Sequence, residues 1–478
     1  MRMKTLSEAS RALELGKVSS VELTEGCLDA IKQKDAELGA YLEVDAQGAL
    51  KSAQESDARR QGGQSLGPLD GVPIGIKDII FCKGLESTAA SKILEGYKAP
   101  YDAMVIQKLK AAGAVILGKT NQDEFAMGAS GEHSAYKVTR NPHDLNRTPG
   151  GSSSGSAVAV AAGMGYGSLG TDTGGSVRQP AALTGIVGIK PTYGRVSRYG
   201  VIAFASSLDQ IGAFGSSVED AALMLQGIAG YDPRDSTSVD RPVPDYRAAL
   251  KGDVRGKRIG VPKEFFSEGL EPEVKASVQE AIGLLEKQGV EVKEVSLPHA
   301  STAIATYYII CTAEASSNLA RFDGIRYGPR KGDQEGLNAL YEKTRGELFG
   351  DEVQRRILLG TYILSAGYYD AYYVRAQKVR ALIAKDFSEV FKEVDAIVGP
   401  TTPTTAYKIG ENIQDPLAEY LGDIYTAPVN LAGLPGISVP GKPTKKGLPV
   451  GVQFIAKPFE ESLLLNLGYA LEGALKDG

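Results

Sequence analysis

Between Pro149 and Ser176 the chain reads PGGSSSGSAVAVAAGMGYGSLGTDTGGS, in which 9 glycines and 6 serines fill 15 of 28 positions. Residues with so little side chain let backbones approach closely, at an entropic cost that something else must offset. A flexible linker stays polar throughout, whereas the middle of this stretch, Ala157 to Ala162, is small and apolar. The pattern predicts two Gly/Ser turns brought together across a buried, closely packed helix. The charge-free segment Thr148 to Thr171 is long enough to cross a bilayer, but its Gly/Ser opening cannot satisfy its own backbone in lipid.

Around this stretch the chain alternates short apolar runs with helical patterns. VPIGI (72–76), AVILG (114–118), RIGVP (258–262), DAIVG (395–399) and VGVQFIA (450–456) are separated by helix-length intervals, the signature of an α/β sheet. Ser19 and Glu22 stand in capping-box spacing ahead of Leu23, Cys27, Leu28 and Ile31, which predicts an N-terminal helix. Val274, Val278, Ala281, Ile282 and Leu285 predict another, stopped by Gly289 before the strand-like VEVKEV. Two polar stretches, Asp232 to Gly256 and Gly324 to Asp351, read as linkers or surface excursions, too short to divide the chain. The expectation is one large α/β domain over residues 1–478, with 1–60 as an N-terminal helical arm.

The net charge of -5 leaves no general basic field for gripping phosphates, so nucleic acid would have to be met through a local patch or a partner. Cys27, Cys82 and Cys311 are scattered and form no CxxC pair, and Glu and Arg interrupt the opening MRMKTLSEASRALELG where an export signal needs an apolar run. A cytoplasmic protein is expected.

The chemistry-bearing feature is Thr173-Gly174-Gly175-Ser176. Glycines before a serine let successive N–H groups face one point, as an oxyanion in acyl transfer requires, although a plain Gly-Ser surface turn has the same pattern. A serine nucleophile needs a base. His143 lies in the turn-like NPHD and His299 follows a proline, which leaves His133 open among the three histidines. The other route is a lysine kept neutral by burial, its pKa brought down from about 10.4. Lys77, at the end of VPIGI, fits that role and equally fits a lysine snorkelling from a strand end. Gly151 to Gly155 matches G-x-S-x-G with Ser153 as nucleophile, but the polar NPHDLNRTPG precedes it where an elbow needs a strand. Gly165, Gly167 and Gly170 match G-x-G-x-x-G without an acidic residue between Thr173 and Leu208 to hold a ribose.

Lys77 in GIKD, GGSSSGSA (150–157), DTGGSVRQP (172–180) and GIVGIKPTYGRVSRYG (185–200) together resemble the amidase-signature family. That family uses a Ser-cisSer-Lys triad whose serines are 24 residues apart, the separation of Ser152 and Ser176 here. The resemblance implies a central mixed β-sheet covered by helices on both sides. It also implies Ser176 as nucleophile, Ser152 as bridging serine, Lys77 as base, and the N–H groups of Thr173, Gly174, Gly175 and Ser176 as oxyanion hole. Within the family, RVSRYGVIAFASSLDQIG (195–212), EASSNLARFDGIRYG (314–328) and SAGYYDAYYVRAQKVR (365–380) are similar to the branch that hydrolyses glutamine for tRNA-dependent amidation. In that branch a tyrosine, an arginine and an aspartate recognise glutamine, and they map to Tyr307, Arg356 and Asp423, with Arg355 adjoining Arg356. An arginine fork suits the α-carboxylate and an aspartate the α-ammonium. The branch works as a heterotrimer with B and C subunits: ammonia passes to the B subunit, which activates Glu-tRNA(Gln) or Asp-tRNA(Asn), while the C subunit braces the pair.

The chain shows no metal constellation and no P-loop, so ATP and Mg2+ are expected on the partner and no cofactor in this chain. One departure stands out: Ser154 occupies a position often filled by glycine in the family, where a positive φ would strain it. Two alternatives share the motif set: a stand-alone amidase acting on a small amide, and a non-catalytic scaffold protein.

Overall fold

The computed structural model describes residues 3–412 and 415–477. The chain begins with α1 (Leu6–Glu14), α2 (Ser20–Leu38), β1 (Tyr41–Val44) and α3 (Ala46–Gln61). β2 (Pro73–Lys77), α4 (Met104–Ala111) and β3 (Val115–Thr120) follow, then α5 (Ser154–Ala161), β4 (Gly167–Asp172) and α6 (Arg178–Thr184). β5 (Val187–Lys190), β6 (Gln210–Gly215) and α7 (Val218–Ile228) complete the first half. The second half opens with β7 (Arg258–Pro262), α8 (Pro272–Lys287) and β8 (Glu291–Val295). It continues through α9 (Ala303–Asn318), α10 (Leu337–Leu348), α11 (Asp351–Leu364) and α12 (Arg375–Val390). β9 (Ala396–Pro400), α13 (Pro416–Leu421), α14 (Ala427–Leu431), β10 (Gly436–Pro440), β11 (Gly451–Ala456) and α15 (Glu461–Asp477) end the chain.

Among the described residues eleven strands form one mixed sheet in the order β1-β3-β2-β4-β6-β5-β10-β11-β9-β7-β8. β2 runs parallel to both β3 and β4, and β7 runs parallel to both β8 and β9. The remaining neighbours are antiparallel. Helices flank both faces, and alternate residues of β4 show it: a Cβ on Gly167 would meet Met224 of α7, and one on Gly170 would meet Ser153 beside α5. α5 itself is buried in close contact, since a Cβ at Gly155 would lie 2.3 Å from the Ala40 carbonyl oxygen. That contact accounts for the small residues of the 149–176 stretch, whose two ends are turns and whose middle is this helix.

Most elements expected from periodicity are present. α2 begins with both halves of the Ser19/Glu22 capping box, and α8 buries Val274, Val278, Ala281, Ile282 and Leu285. Three differences have physical reasons. The N-terminal arm is not wholly helical, because β1 pairs antiparallel with β3 and forms an edge of the sheet. β4 is unreadable from its sequence, GSLGTD, which lacks the β-branched run that marks strands; it exists because β2 and β6 pair with it on either side. The polar stretch Gly324 to Asp351 contains α10, a largely exposed helix with little apolar period.

The site follows from the sheet. β2 and β4 are parallel neighbours, so the chain leaves both at the same edge: Lys77 ends β2 and Asp172 ends β4. α5 starts two residues after Ser152, and α6 starts two residues after Ser176. Loops beyond the carboxyl ends of parallel strands are where open α/β sheets bind ligands.

Candidate active site

Lys77 is fully buried, and its Nζ lies 2.8 Å from Ser152 Oγ, 2.9 Å from Ser153 Oγ and 2.8 Å from Thr171 Oγ1. All three partners are neutral hydroxyls, so among the described residues no ion pair at contact distance offsets desolvation. Burial lowers the Lys77 pKa to about 7, against the upward pull of the more distant Asp123, Asp172 and Asp209. This difference disfavours the charged form by about 5 kcal/mol. Ser153 Oγ donates to the Thr171 carbonyl (3.1 Å) and accepts from the Thr171 N–H (3.2 Å), so it is committed to the backbone. The Ser152 hydroxyl has no such competing partner among the described residues, which leaves it free to reverse direction and donate to a neutral lysine.

The Gly151–Ser152 peptide is cis. The Ser153 N–H donates to the Ser176 carbonyl at 3.3 Å, which holds the two serine-bearing loops side by side. Ser154 is in the first turn of α5 with no positive φ, and its hydroxyl meets Thr139 at 3.1 Å, so the expected strain does not arise.

The loop before Ser176 is fixed from both ends. Asp172 receives Nε and Nη2 of Arg178 at 3.0 and 2.9 Å, and both side chains are fully buried. Burial would raise Asp172, but Arg178, Lys190 and Asn430 bring it down to about 2. Arg178 also reaches Gln453 and Asn430, tying the loop to β11 and α14. Thr173 donates to Asp209 at 2.7 Å. Between these anchors Gly175 has φ +151°, and a Cβ there would lie 2.3 Å from Thr426 Oγ1; a Cβ on Gly174 would lie 2.5 Å from the Tyr307 ring. Among the described residues, the N–H groups of Thr173, Gly174, Gly175 and Ser176 have no hydrogen-bond partner, so four donors stand unused beside the serine.

Tyr307 and Asp423 border that loop. Tyr307 is buried against Gly174, and Asp423 Oδ1 lies 3.5 Å from Thr426 Oγ1 next to Gly175. Burial, reinforced by Asp172, raises the Asp423 pKa well above its ordinary value despite Arg356 and Arg178. Arg356 is buried on α11, whereas the Arg355 side chain is 43% exposed, so the structure puts Arg356 on the inner face. Three neighbours of Arg356 carry no signal in the sequence: Glu352, Tyr308 and Tyr420. Arg356 Nε bonds Glu352 at 2.7 Å, and its guanidinium lies 5.2 and 5.3 Å from the centres of the Tyr308 and Tyr420 rings. The i, i+4 spacing of Glu352 and Arg356 is visible, but nothing local marks the pair as buried.

His133 is engaged elsewhere. Its Nε2 pairs with Glu419 at 2.9 Å; burial alone would lower it, but Glu419 and Asp123 raise it to about 9, so it is a charged partner of Glu419. His143 and His299 face Thr184 and Asp386. A second buried lysine, Lys190, is lowered to about 7 by burial and Arg178, yet it bonds the carbonyls of Pro191 and Leu434. A low pKa alone therefore does not single out the base; of these two lysines, Lys77 is the one in contact with a serine hydroxyl.

Residues 22–465 match the Amidase family model. The A subunit of the glutamyl-tRNA(Gln) amidotransferase of Chloroflexus aggregans is 57% identical, over 98% of this chain and 96% of that protein. A protein of the same name from Myxococcus xanthus is also 57% identical, with the same coverage. The crystal structure of the glutamyl-tRNA(Gln) amidotransferase A subunit from Thermotoga maritima superposes with a TM-score of 0.81 at 44% identity, covering 98% of this chain and 94% of that one. The peptide amidase from Stenotrophomonas maltophilia superposes with a TM-score of 0.84 at 34% identity, over 99% and 97% of the two chains.

Proposed function

Because the chain belongs to the amidase family, we propose that it is the glutamine-hydrolysing component of a tRNA-dependent amidotransferase, acting as a single domain over 1–478 with 1–60 as its arm. One observation carries the mechanism: a buried Lys77 with a pKa near 7, in contact with a serine hydroxyl and, among the described residues, no carboxylate. Burial thus makes the uncharged amine accessible near neutral pH. Neutral Lys77 takes the Ser152 proton as Ser152 takes that of Ser176, and the Ser176 oxygen attacks the side-chain amide carbon of glutamine. The unused N–H groups of Thr173 to Ser176 receive the negative oxygen. As the carbon–nitrogen bond breaks, the proton returns through Ser152 to the leaving nitrogen, which departs as ammonia. Water then hydrolyses the Ser176 ester and releases glutamate.

Tyr307, Arg356 and Asp423 hold the amino-acid end of the substrate, with Arg356 on the carboxylate and Asp423 on the ammonium. The upward push that burial and Asp172 give Asp423 supports this assignment, because a cation beside the carboxylate relieves it. In this reading the B and C subunits complete a heterotrimer; the B subunit holds ATP and Mg2+, contacts Glu-tRNA(Gln) or Asp-tRNA(Asn), and consumes the ammonia. The assembly works in the cytoplasm, and among the described residues no helix is long and apolar enough to cross a membrane.

The test uses the chain purified with the subunits that accompany it in its host. Ammonia should be released from glutamine, and Ser176→Ala should reduce release by about 10^3-fold or more. Release from many simple amides with glutamine left intact would contradict the proposal and favour a stand-alone amidase.

A further inference from the structure

Arg356 makes more contacts than gripping a carboxylate requires. Its Nε donates to Glu352 Oε1 at 2.7 Å, and the same oxygen accepts the Tyr420 hydroxyl at 2.6 Å. The second Glu352 oxygen pairs with Arg355. Tyr420 stacks on Tyr308 at 3.9 Å, and both rings, with Phe204, lie around the guanidinium. A guanidinium presents two bidentate edges. With Nε taken by Glu352, only the edge formed by the two terminal nitrogens is left, and those nitrogens have no partner among the described residues.

The tether continues toward Asp423. Tyr420 lies in the last turn of α13, and its carbonyl accepts the N–H of Asp423 at 3.2 Å. One carboxylate thus joins α11, which carries Arg356, to the segment that carries Asp423. We infer that Glu352, with Tyr420, is a positioning residue that fixes the spacing between Arg356 and Asp423, and so selects amide donors carrying both an α-carboxylate and an α-ammonium. The inference rests on the glutamine reading above. Glu352 touches no reacting atom; it acts through Arg356 and through Tyr420.

The test is steady-state glutaminase kinetics of the intact complex with Glu352→Gln, Tyr420→Phe and the double variant. 4-Aminobutyramide, which keeps the ammonium and the amide but lacks the carboxylate, serves as a second substrate. Glu352→Gln keeps the shape and removes the charge, so KM for glutamine should rise about tenfold or more while kcat stays within about threefold. Tyr420→Phe should move KM the same way by less, and the double variant should add less than the sum of the two, because both act on the one Glu352 oxygen that joins Arg356 to Tyr420. The rise in KM for 4-aminobutyramide should be smaller than for glutamine. An unchanged KM for glutamine would overturn the inference, as would equal falls in kcat for both substrates, which indicate a general loss of structure. A wild-type complex that hydrolyses 4-aminobutyramide but not glutamine would overturn the glutamine reading and this inference with it.

Discussion

Three hydroxyls surround the Lys77 amine, and their other contacts assign them different work. The Ser152 hydroxyl has only the lysine among the described residues, while that of Ser153 also serves the Thr171 backbone in both directions. Ser152→Ala should therefore reduce ammonia release by about 10^3-fold or more with nearly native stability. Ser153→Ala should do the reverse in emphasis: it leaves a buried N–H and carbonyl unpaired and should cost about 1–3 kcal/mol in chemical denaturation. The pH dependence follows from the same amine. Its pKa is depressed to about 7 and its neutral form is the base, so kcat/KM should rise with pH through about 7 and then level. At this scale the sequence is informative about identity but not environment. Lys77 at the end of an apolar run fits a base or a snorkelling residue equally, and what separates them is structural: the amine is fully buried and meets the Ser152 hydroxyl instead of water. Ser153, which G-x-S-x-G offers as a nucleophile, is a brace for β4.

The decisive element is the turn between β4 and α6. Its glycines are demanded by neighbours on both sides, so Gly175→Ala, strained at φ +151° and in collision with Thr426, should abolish turnover while Lys77 keeps its own contacts. Arg178→Met leaves Asp172 buried and unpaired, and should cost about 3–5 kcal/mol of stability, read by denaturation, along with activity. The spacing DTGGSVR displays both charges, yet nothing local shows that they close on each other beneath the loop. Strands with apolar runs, such as β7, β9 and β11, are legible; β4 is not, because its glycines make room for α5 and α7 instead of declaring a strand. The Glu352–Tyr420 contact joins residues 68 apart, beyond any helical or strand period.

Whole-molecule topology gathers what the sequence scatters. β2 and β4 bring Lys77 to the serine loops, while α9, α11 and the segment after α13 supply Tyr307, Arg356 and Asp423 from far along the chain. The family likeness points to these residues, but their convergence is a property of the sheet order. If the ammonia made here is consumed on a partner, a complex carrying Ser176→Ala should still amidate its charged tRNA when ammonium salt replaces glutamine, with the tRNA-bound product as readout. The same packing that assembles the site also removes water from Lys77, and the proposed chemistry depends on that. The direct measurement is an NMR pH titration of the 13Cε resonance of Lys77, assigned by comparison with Lys77→Arg, with Lys190 assigned through Lys190→Arg. A midpoint near pH 7 is predicted; a midpoint at the ordinary lysine value of about 10.4 would contradict the role given to Lys77.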